Sequence, residues 1–127
     1  MCEKKFYICE RCGNIVGLIK NGGGQLVCCG QKMTCLEAGV VEASREKHIP
    51  VVSIKDGVVS VVVGSVTHPM SEEHNIGWIY LETNKGGQRK SLAPTDAPEA
   101  SFALACGEEP VAVYAWCNLH GLWKAEI

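Results

Sequence analysis

Short apolar runs separated by turn residues make up most of the chain, and none of them recurs convincingly at helical spacing. Residues 51–54 and 58–63 are rich in β-branched side chains and flank a turn at Asp56 and Gly57, which predicts a β-hairpin. Further strands are predicted at residues 76–81, before a turn at Gly86 and Gly87, and at residues 102–105 and 111–116. This spacing favours an immunoglobulin-like antiparallel β-sandwich.

The first 36 residues follow a different pattern. Apolar runs at residues 6–8, 15–19 and 25–27 surround a glycine-rich turn at residues 21–24, and the first two runs predict short strands. So short a segment cannot bury enough apolar surface to fold unaided. We therefore expect a bound metal ion to hold it together.

Charge and chemistry divide the chain at the same place. Residues 1–36 carry five Lys/Arg and two Asp/Glu, whereas residues 37–127 carry seven and twelve. Six of the eight cysteines lie in the first part, and all four histidines lie in the second. We predict a mainly β chain of two domains with these bounds, the second opening with a connecting segment at residues 37–45.

The composition is that of a globular protein, with 46% hydrophobic residues, 20% charged residues and a formal charge of −2. No apolar run approaches the roughly 18 residues that span a bilayer, and the N-terminal sequence MCEKKFYICE has no signal-peptide core. We expect a cytoplasmic protein with no membrane and no nucleic-acid partner. In a reducing compartment its cysteines are expected to serve metal or redox chemistry.

The cysteines of the first part have the spacing of a four-sulfur metal site. Cys9 and Cys12 form a Cys-x₂-Cys knuckle next to Gly13, and Cys28 and Cys29 supply a second pair. Neighbouring side chains on an extended chain point to opposite faces, so that binding of one ion by both Cys28 and Cys29 requires a local distortion. The spacing does not separate zinc from iron.

The second part offers imidazole ligands and one thiol at the ends of predicted elements. These are His48, His68, His74, His120 and Cys117. A catalytic zinc uses about three protein ligands, whereas imidazole nitrogens with a soft thiolate suit iron or copper. If all five bind, four nitrogens can lie in a plane with the sulfur on one axial side, and the opposite position stays open.

The motifs together resemble desulfoferrodoxin, the two-iron form of superoxide reductase. The resemblance rests on FYICERCGNIVGLI, GGGQLVCCG, EKHIP, GSVTHPMSEEHNIGWI, DAPEASFAL and WCNLHGLWK, which cover nearly the whole chain in the family's order. The N-terminal part is similar to desulforedoxin and the C-terminal part to neelaredoxin. The resemblance implies two iron ions per chain, one on Cys9, Cys12, Cys28 and Cys29 and one on His48, His68, His74, His120 and Cys117.

The resemblance also implies an activity and partners. The expected reaction is reduction of superoxide to hydrogen peroxide with one electron and two protons, without production of dioxygen. Glu46 and Lys47 match the family positions for a glutamate that caps the oxidised iron and a lysine that attracts superoxide. A homodimer and a rubredoxin-like electron donor are implied as well. Cys2, Cys35 and Cys106 fall outside the motifs and are interpreted as buried or incidental thiols.

Two other classes of protein remain open from the residues alone. A cupredoxin-like electron carrier also combines a β-sandwich with one cysteine and two histidines, although no methionine follows His120 closely and two histidines are left over. A zinc-ribbon interaction module accounts for the first 36 residues and for nothing later. The metal content separates these classes, since the first requires copper and the second zinc alone.

Overall fold

Short strands connected by tight turns build the chain in the computed structural model, which describes residues 2–127. The chain divides into two compact units, with the boundary between Ala38 and Gly39. The strands of the first unit are β1 (Phe6–Ile8), β2 (Ile15–Gly17), β3 (Val27–Cys28), β4 (Gln31–Lys32) and β5 (Thr34–Cys35). The second unit contains α1 (Arg45–His48), β6 (Pro50–Lys55), β7 (Val58–Val63), β8 (Ile76–Thr83), β9 (Gly86–Ser91), β10 (Glu99–Ala103), β11 (Pro110–Cys117) and β12 (Gly121–Glu126).

The first unit is a three-stranded antiparallel sheet with a separate two-stranded hairpin. β1 is the central strand of the sheet, between β2 and β5, and β3 pairs with β4. Its buried apolar residues include Phe6 and Met33. Cys9 directly follows β1 and is also buried.

The second unit is a β-sandwich of two antiparallel sheets, ordered β10-β7-β6 and β12-β11-β8-β9. Alternate residues of β7, Val59, Val61 and Val63, are buried and belong to one core with Ile79 and Leu81 of β8. The predicted mainly β fold, with a cysteine-rich metal-site unit and a β-sandwich, is therefore confirmed. The structure contains no helix in residues 2–127 that is long and apolar enough to cross a membrane.

Strand pairing brings three chain connections to one end of the sandwich. Pro50 at the start of β6 pairs with Val63 at the end of β7. Cys117 at the end of β11 pairs with both Ile76 at the start of β8 and Gly121 at the start of β12. The helix α1, the connection over residues 64–75 and the turn over residues 118–120 therefore lie at this end, and they carry all four histidines.

Two details go beyond or differ from the sequence prediction. Residues 45–48 form α1, a helix of four residues that shows no helical period in the sequence. The predicted turn at Gly86 and Gly87 lies two residues earlier, at Asn84 and Lys85, and the two glycines begin β9. Gly86 has a φ of +116°, and a Cβ on Gly87 would clash with the Tyr80 hydroxyl, so the glycines serve strand geometry and close packing.

Candidate metal centres

Four cysteines converge in the first unit. The Sγ atoms of Cys9, Cys12, Cys28 and Cys29 all lie within 4.8 Å of one another. The Cys28 sulfur is 3.6 Å from that of Cys12 and 4.0 Å from that of Cys29. The structure thus brings together all four cysteines that the spacing singled out.

Backbone geometry at two turns places these sulfurs. At the first turn, the Gly13 N–H donates to the Cys9 carbonyl at 2.8 Å, and Gly13 has a φ of +81°. At the second turn, Cys29 has a φ of +53°, a left-handed conformation that is uncommon for a residue other than glycine. This is the local distortion expected of two adjacent cysteines directed at one ion.

The electrostatics of the four sulfurs favour a cation. The backbone N–H of Cys12 lowers the pKa of Cys9 to about 7, so that this sulfur carries negative charge readily. Hydrogen bonding to Cys12, and then to Cys28, raises the pKa of Cys29 to about 12, because its proton is shared with the neighbouring sulfurs. A metal ion in place of those protons stabilises four thiolates together, and tetrahedral sulfur sites suit iron and zinc.

A second group forms at the histidine end of the sandwich. Single donor atoms of His48, His74, Cys117 and His120 lie within 4.8 Å of one another. His48 Nε2 is 3.1 Å from His120 Nδ1, which is itself 3.9 Å from Cys117 Sγ. His68 lies outside this mutual distance limit, but its Nε2 is 3.2 Å from His48 Nε2. All five predicted residues are thus neighbours.

Hydrogen bonds define which nitrogen of His48 and of His68 faces inward. His48 Nδ1 is 2.6 Å from the Ser44 carbonyl and His68 Nδ1 is 2.7 Å from the Pro69 carbonyl. A carbonyl only accepts, so each Nδ1 must carry a proton and donate it. In the neutral rings, both Nε2 atoms then have lone pairs, which face each other at 3.2 Å. Two facing acceptors are repulsive unless a cation lies between them.

Burial keeps these imidazoles neutral. Desolvation lowers the pKa of His68 to about 4 and also lowers the pKa of His48 and of His74. His74 Nε2 is buried and has no hydrogen-bond partner within residues 2–127. Neutral imidazoles with inward lone pairs are the form that binds metal ions, and an unpaired buried nitrogen is costly without one. The donor set therefore fits an iron ion.

Cys117 supplies the sulfur from the core side of the group. Its residue is fully buried at the end of β11, and burial raises the pKa of the thiol. Hydrogen bonds from the backbone N–H groups of Leu119 and His120 act in the opposite direction and stabilise a thiolate. A metal ion bound to the sulfur would complete that stabilisation, because its positive charge offsets the cost of burying a thiolate.

Asn75 and Asn118 connect the segment that contains His74 to the turn after Cys117 by hydrogen bonds. The Asn75 N–H donates to Asn118 Oδ1 at 2.9 Å, and the Asn118 N–H donates to the Asn75 carbonyl at 3.2 Å. The Asn118 side chain also donates to the Glu73 carbonyl at 3.0 Å. Asn118 therefore holds the chain on both sides of His74. The sequence reasoning missed this role, although Asn118 lies within the Cys117-to-His120 motif.

Trp123 is a second residue that the sequence reasoning missed. Its ring centroid is 4.9 Å from that of His48, with the planes inclined by 30°, and its indole N–H donates to the His120 carbonyl at 3.0 Å. It therefore contacts two of the clustered histidines from the core. In the sequence, only its position three residues after His120 indicated that Trp123 lies near the histidines.

Glu46 and Lys47 both lie on α1 and are exposed. The positive charge of Lys47 is a further cause, after burial and the neighbouring rings, of the lowered pKa of His48 and His74. Gly64 packs against the backbone of these two residues. A Cβ at Gly64 would come within 2.9 Å of the Glu46 carbonyl and 2.8 Å of the Lys47 carbonyl. Only glycine permits this close approach, with its φ of +88°.

Two of the remaining cysteines differ from the expectation of buried or incidental thiols. Cys2 and Cys35 form a disulfide across 33 positions of the sequence. Cys106 is a free, exposed thiol, and the expectation of an incidental thiol stands for it. No spacing rule pairs Cys2 with Cys35, because their proximity depends on how β5 pairs with β1.

Comparison with known proteins gives consistent matches for both units. The family profile described as "Desulfoferrodoxin" matches residues 40–126, and that of "Desulfoferrodoxin, N-terminal domain" matches residues 2–36. The desulfoferrodoxin of Syntrophotalea carbinolica is 49% identical over 127 residues, which is 99% of each chain. The desulfoferrodoxin of Nitratidesulfovibrio vulgaris is 45% identical over 124 residues, covering 98% of this chain and 97% of the relative.

Solved structures that are similar to this chain are superoxide reductases. The crystal structure of the superoxide reductase from Treponema pallidum is similar with a TM-score of 0.81 at 38% identity, over 96% of this chain and 99% of that one. A superoxide reductase from Giardia intestinalis is similar with a TM-score of 0.55 at 30% identity, over 65% of this chain and 97% of that one.

Proposed function

Because this chain belongs to the desulfoferrodoxin family, we propose that it is a superoxide reductase. The reaction takes superoxide, one electron and two protons to hydrogen peroxide and releases no dioxygen. The observation that carries the proposal is the donor cluster itself: the Nε2 atoms of His48 and His68 are 3.2 Å apart, and His48 shares one group with the buried Cys117. Such a donor set suits a redox-active iron ion and exceeds the needs of a structural zinc.

The residues fit two iron ions per chain. Cys9, Cys12, Cys28 and Cys29 would hold one, and His48, His68, His74, His120 and Cys117 would hold the other. An iron ion held by the second group would supply the electron for superoxide, and the Cys117 thiolate would increase the electron density of that iron. We also propose that residues 1–36 and 37–127 act as separate domains, one for each ion.

The side chains around the second group perform the remaining tasks. Lys47 presents a positive charge at the surface next to His48 and attracts the superoxide anion. Glu46, its exposed neighbour on α1, would supply a carboxylate to cap the iron in its oxidised form. His74 and His120 are only half-buried, so solvent protons can reach the bound substrate from their side. The buried side, formed by Cys117 and Trp123, excludes water.

The number of imidazoles argues against the cupredoxin-like alternative. A carrier of that class uses two histidines with one cysteine. Here His48, His74 and His120 share one group with Cys117, and His68 adjoins them. A zinc-ribbon module would leave this second group without a role.

Partners and location complete the proposal. We propose a homodimer that receives electrons from a rubredoxin-like donor in the cytoplasm. Support for these assignments comes from membership of the family. Superoxide is the substrate, in keeping with the similar superoxide reductases.

Metal analysis and superoxide kinetics together test the proposal. Protein purified without oxygen is expected to contain about two iron ions per chain and to consume superoxide when reduced. One copper ion per chain would support the electron carrier instead, and zinc alone would support the interaction module. Iron-loaded protein that does not accelerate superoxide loss would refute the reductase.

A further inference from the structure

A second pair of cysteines lies in the first unit, outside the four-cysteine group. We propose that Cys2 and Cys35 form a redox-active dithiol that hydrogen peroxide oxidises to the disulfide. The proposal rests on the proposed function only for the natural source of the peroxide, which is the product of superoxide reduction. Nothing in the four-cysteine centre requires this pair, since neither residue belongs to that group.

The backbone holds the two residues at bonding distance. Cys35 ends β5 opposite Tyr7 of β1, and the Leu36 N–H donates to the Phe6 carbonyl at 2.8 Å. The N-terminal segment turns back at Lys4, which has a φ of +57°. The two Cα atoms are thus 6.1 Å apart, within the range that a disulfide spans. The sheet and the turn define this separation, so the reduced thiols remain neighbours.

The surroundings favour a reactive thiolate. Cys2 and Cys35 are both half-buried and line a cavity of about 640 Å³ together with Lys4 and Lys32. Positively charged, partly exposed surroundings of this kind are typical of reactive cysteines. The Lys4 backbone N–H also donates to Cys2 Sγ at 3.3 Å, which stabilises negative charge on that sulfur, and this contact is shorter than the 3.8 Å between the sulfur and the Leu36 carbonyl, which opposes that charge. We therefore assign Cys2 as the attacking thiolate and Cys35 as the resolving thiol.

The reaction balances with hydrogen peroxide as the only oxidant. The Cys2 thiolate attacks one peroxide oxygen, so that an S–O bond forms, the O–O bond breaks and hydroxide leaves to become water. Cys35 then attacks the resulting sulfenic sulfur, so that the S–S bond forms, the S–O bond breaks and a second water leaves. Two thiols lose two electrons and two protons in total, and one peroxide becomes two water molecules.

The disulfide would enclose the whole four-cysteine group. Cys9, Cys12, Cys28 and Cys29 all lie between the bonded positions, which are 33 residues apart. A cross-link around such a loop restricts the unfolded chain and keeps the ligands close to one another when iron is absent. Peroxide would thus stabilise the iron-thiolate unit under the conditions that threaten its sulfurs.

Oxidation of the iron-loaded, fully reduced protein tests the proposal. One equivalent of reagent hydrogen peroxide is added without oxygen, free thiols are alkylated, and peptides are identified by mass spectrometry. We expect a peptide that links Cys2 to Cys35, formed about tenfold faster than Cys106 is oxidised. The exposed Cys106 provides the matched control through Cys106→Ser, which should leave the linked peptide unchanged. Alkylation of both Cys2 and Cys35 after peroxide treatment would overturn the proposal.

Single variants test the order of the steps and the stapling effect. Cys35→Ser should accumulate a trappable sulfenic acid on Cys2, and its absence there would refute Cys2 as the attacking residue. In a chelator challenge, the oxidised parent should lose its iron-thiolate absorption about threefold or more slowly than Cys2→Ser. Equal rates of iron loss in the two proteins would show that the disulfide does not stabilise the four-cysteine site.

The two proposals fail separately in these measurements. Reagent peroxide replaces the enzymatic product, so the linked peptide forms or does not form whether or not the protein reduces superoxide. Superoxide consumption by the parent and by Cys2→Ser is measured in parallel and should be the same. A linked peptide in a protein without superoxide activity would refute only the proposed function, and an active protein without the linked peptide would refute only the dithiol.

Discussion

The Trp123 indole packs against the His48 imidazole, with the ring centroids 4.9 Å apart and the planes inclined by 30°. The same indole donates its N–H to the His120 carbonyl at 3.0 Å. One buried side chain therefore contacts histidines from two separate connections, α1 and the turn between β11 and β12. It therefore holds the His48 ring and the backbone of His120 relative to each other.

This arrangement predicts that Trp123→Phe weakens the second centre. The ring contact is partly kept and the hydrogen bond is lost, so we expect unfolding free energy to fall by about 1–3 kcal/mol. Iron should leave the second centre faster in a chelator assay, while the four-cysteine absorption stays unchanged. Trp78→Phe, in the same sheet and stacked on Trp116, is the matched control. Equal iron release in the two variants would remove the positioning role from Trp123.

Substitution of Cys12 tests whether the two centres are independent. Cys12→Ser removes one of the four sulfurs within 4.8 Å and should abolish the absorption of the four-sulfur iron. Rapid superoxide reduction should be largely retained, because no residue of the second group is changed. Absorption spectra and pulse radiolysis on the same sample measure both. Loss of both iron signals from a still folded protein would show that the centres depend on each other.

Substitution of Cys117 should have the opposite outcome. Serine is a harder and far more basic ligand, so Cys117→Ser should eliminate sulfur-to-iron charge-transfer absorption of the second centre and the reductase activity. Some iron can remain on the histidines, and the four-cysteine spectrum should persist. If the variant kept the parent's spectrum and rate, Cys117 would not belong to the coordination shell.

Lys47 is predicted to act on the encounter with superoxide. Lys47→Ala should lower the second-order rate about tenfold and flatten its dependence on ionic strength, because steering by charge is screened by salt. Lys47→Arg keeps the charge and should keep most of both properties. Iron content and the ferric spectrum should not change.

A control for this prediction lies at the far end of the same sheet. Lys85, in the turn between β8 and β9, is remote along the strands from the histidine end, so Lys85→Ala should react as the parent does. Pulse-radiolysis rates across a salt series compare the variants. A Lys47→Ala protein as fast and as salt-sensitive as Lys85→Ala would make Lys47 an ordinary surface charge.

Local signals in the sequence were sufficient for the β7 hairpin and for the four cysteines. The alternation of Val59, Val61 and Val63 follows from the two-residue period of a strand, and the adjacent pair Cys28-Cys29 required the distortion now seen as a positive φ. Both features depend on neighbours in the sequence, which is why they were predictable.

Other features depend on contacts between distant segments. The helix that carries His48 is four residues long, too short for a periodic signal, and it lies over Gly64. Gly87 is required because the Tyr80 side chain on the paired strand leaves no room for a Cβ, and not because of a turn. The Cys2–Cys35 pair and the Trp123 contacts likewise required the tertiary structure.

The yield of hydrogen peroxide per superoxide consumed tests the central claim most directly. Reduced protein is supplied with excess electron donor and a known flux of superoxide, and peroxide and dioxygen are measured together. A reductase gives one peroxide for each superoxide and no dioxygen, and the Cys117→Ser variant should give neither acceleration nor this yield. One peroxide for every two superoxide ions, with dioxygen released, would mean dismutation and would contradict reduction at the His48 and Cys117 centre.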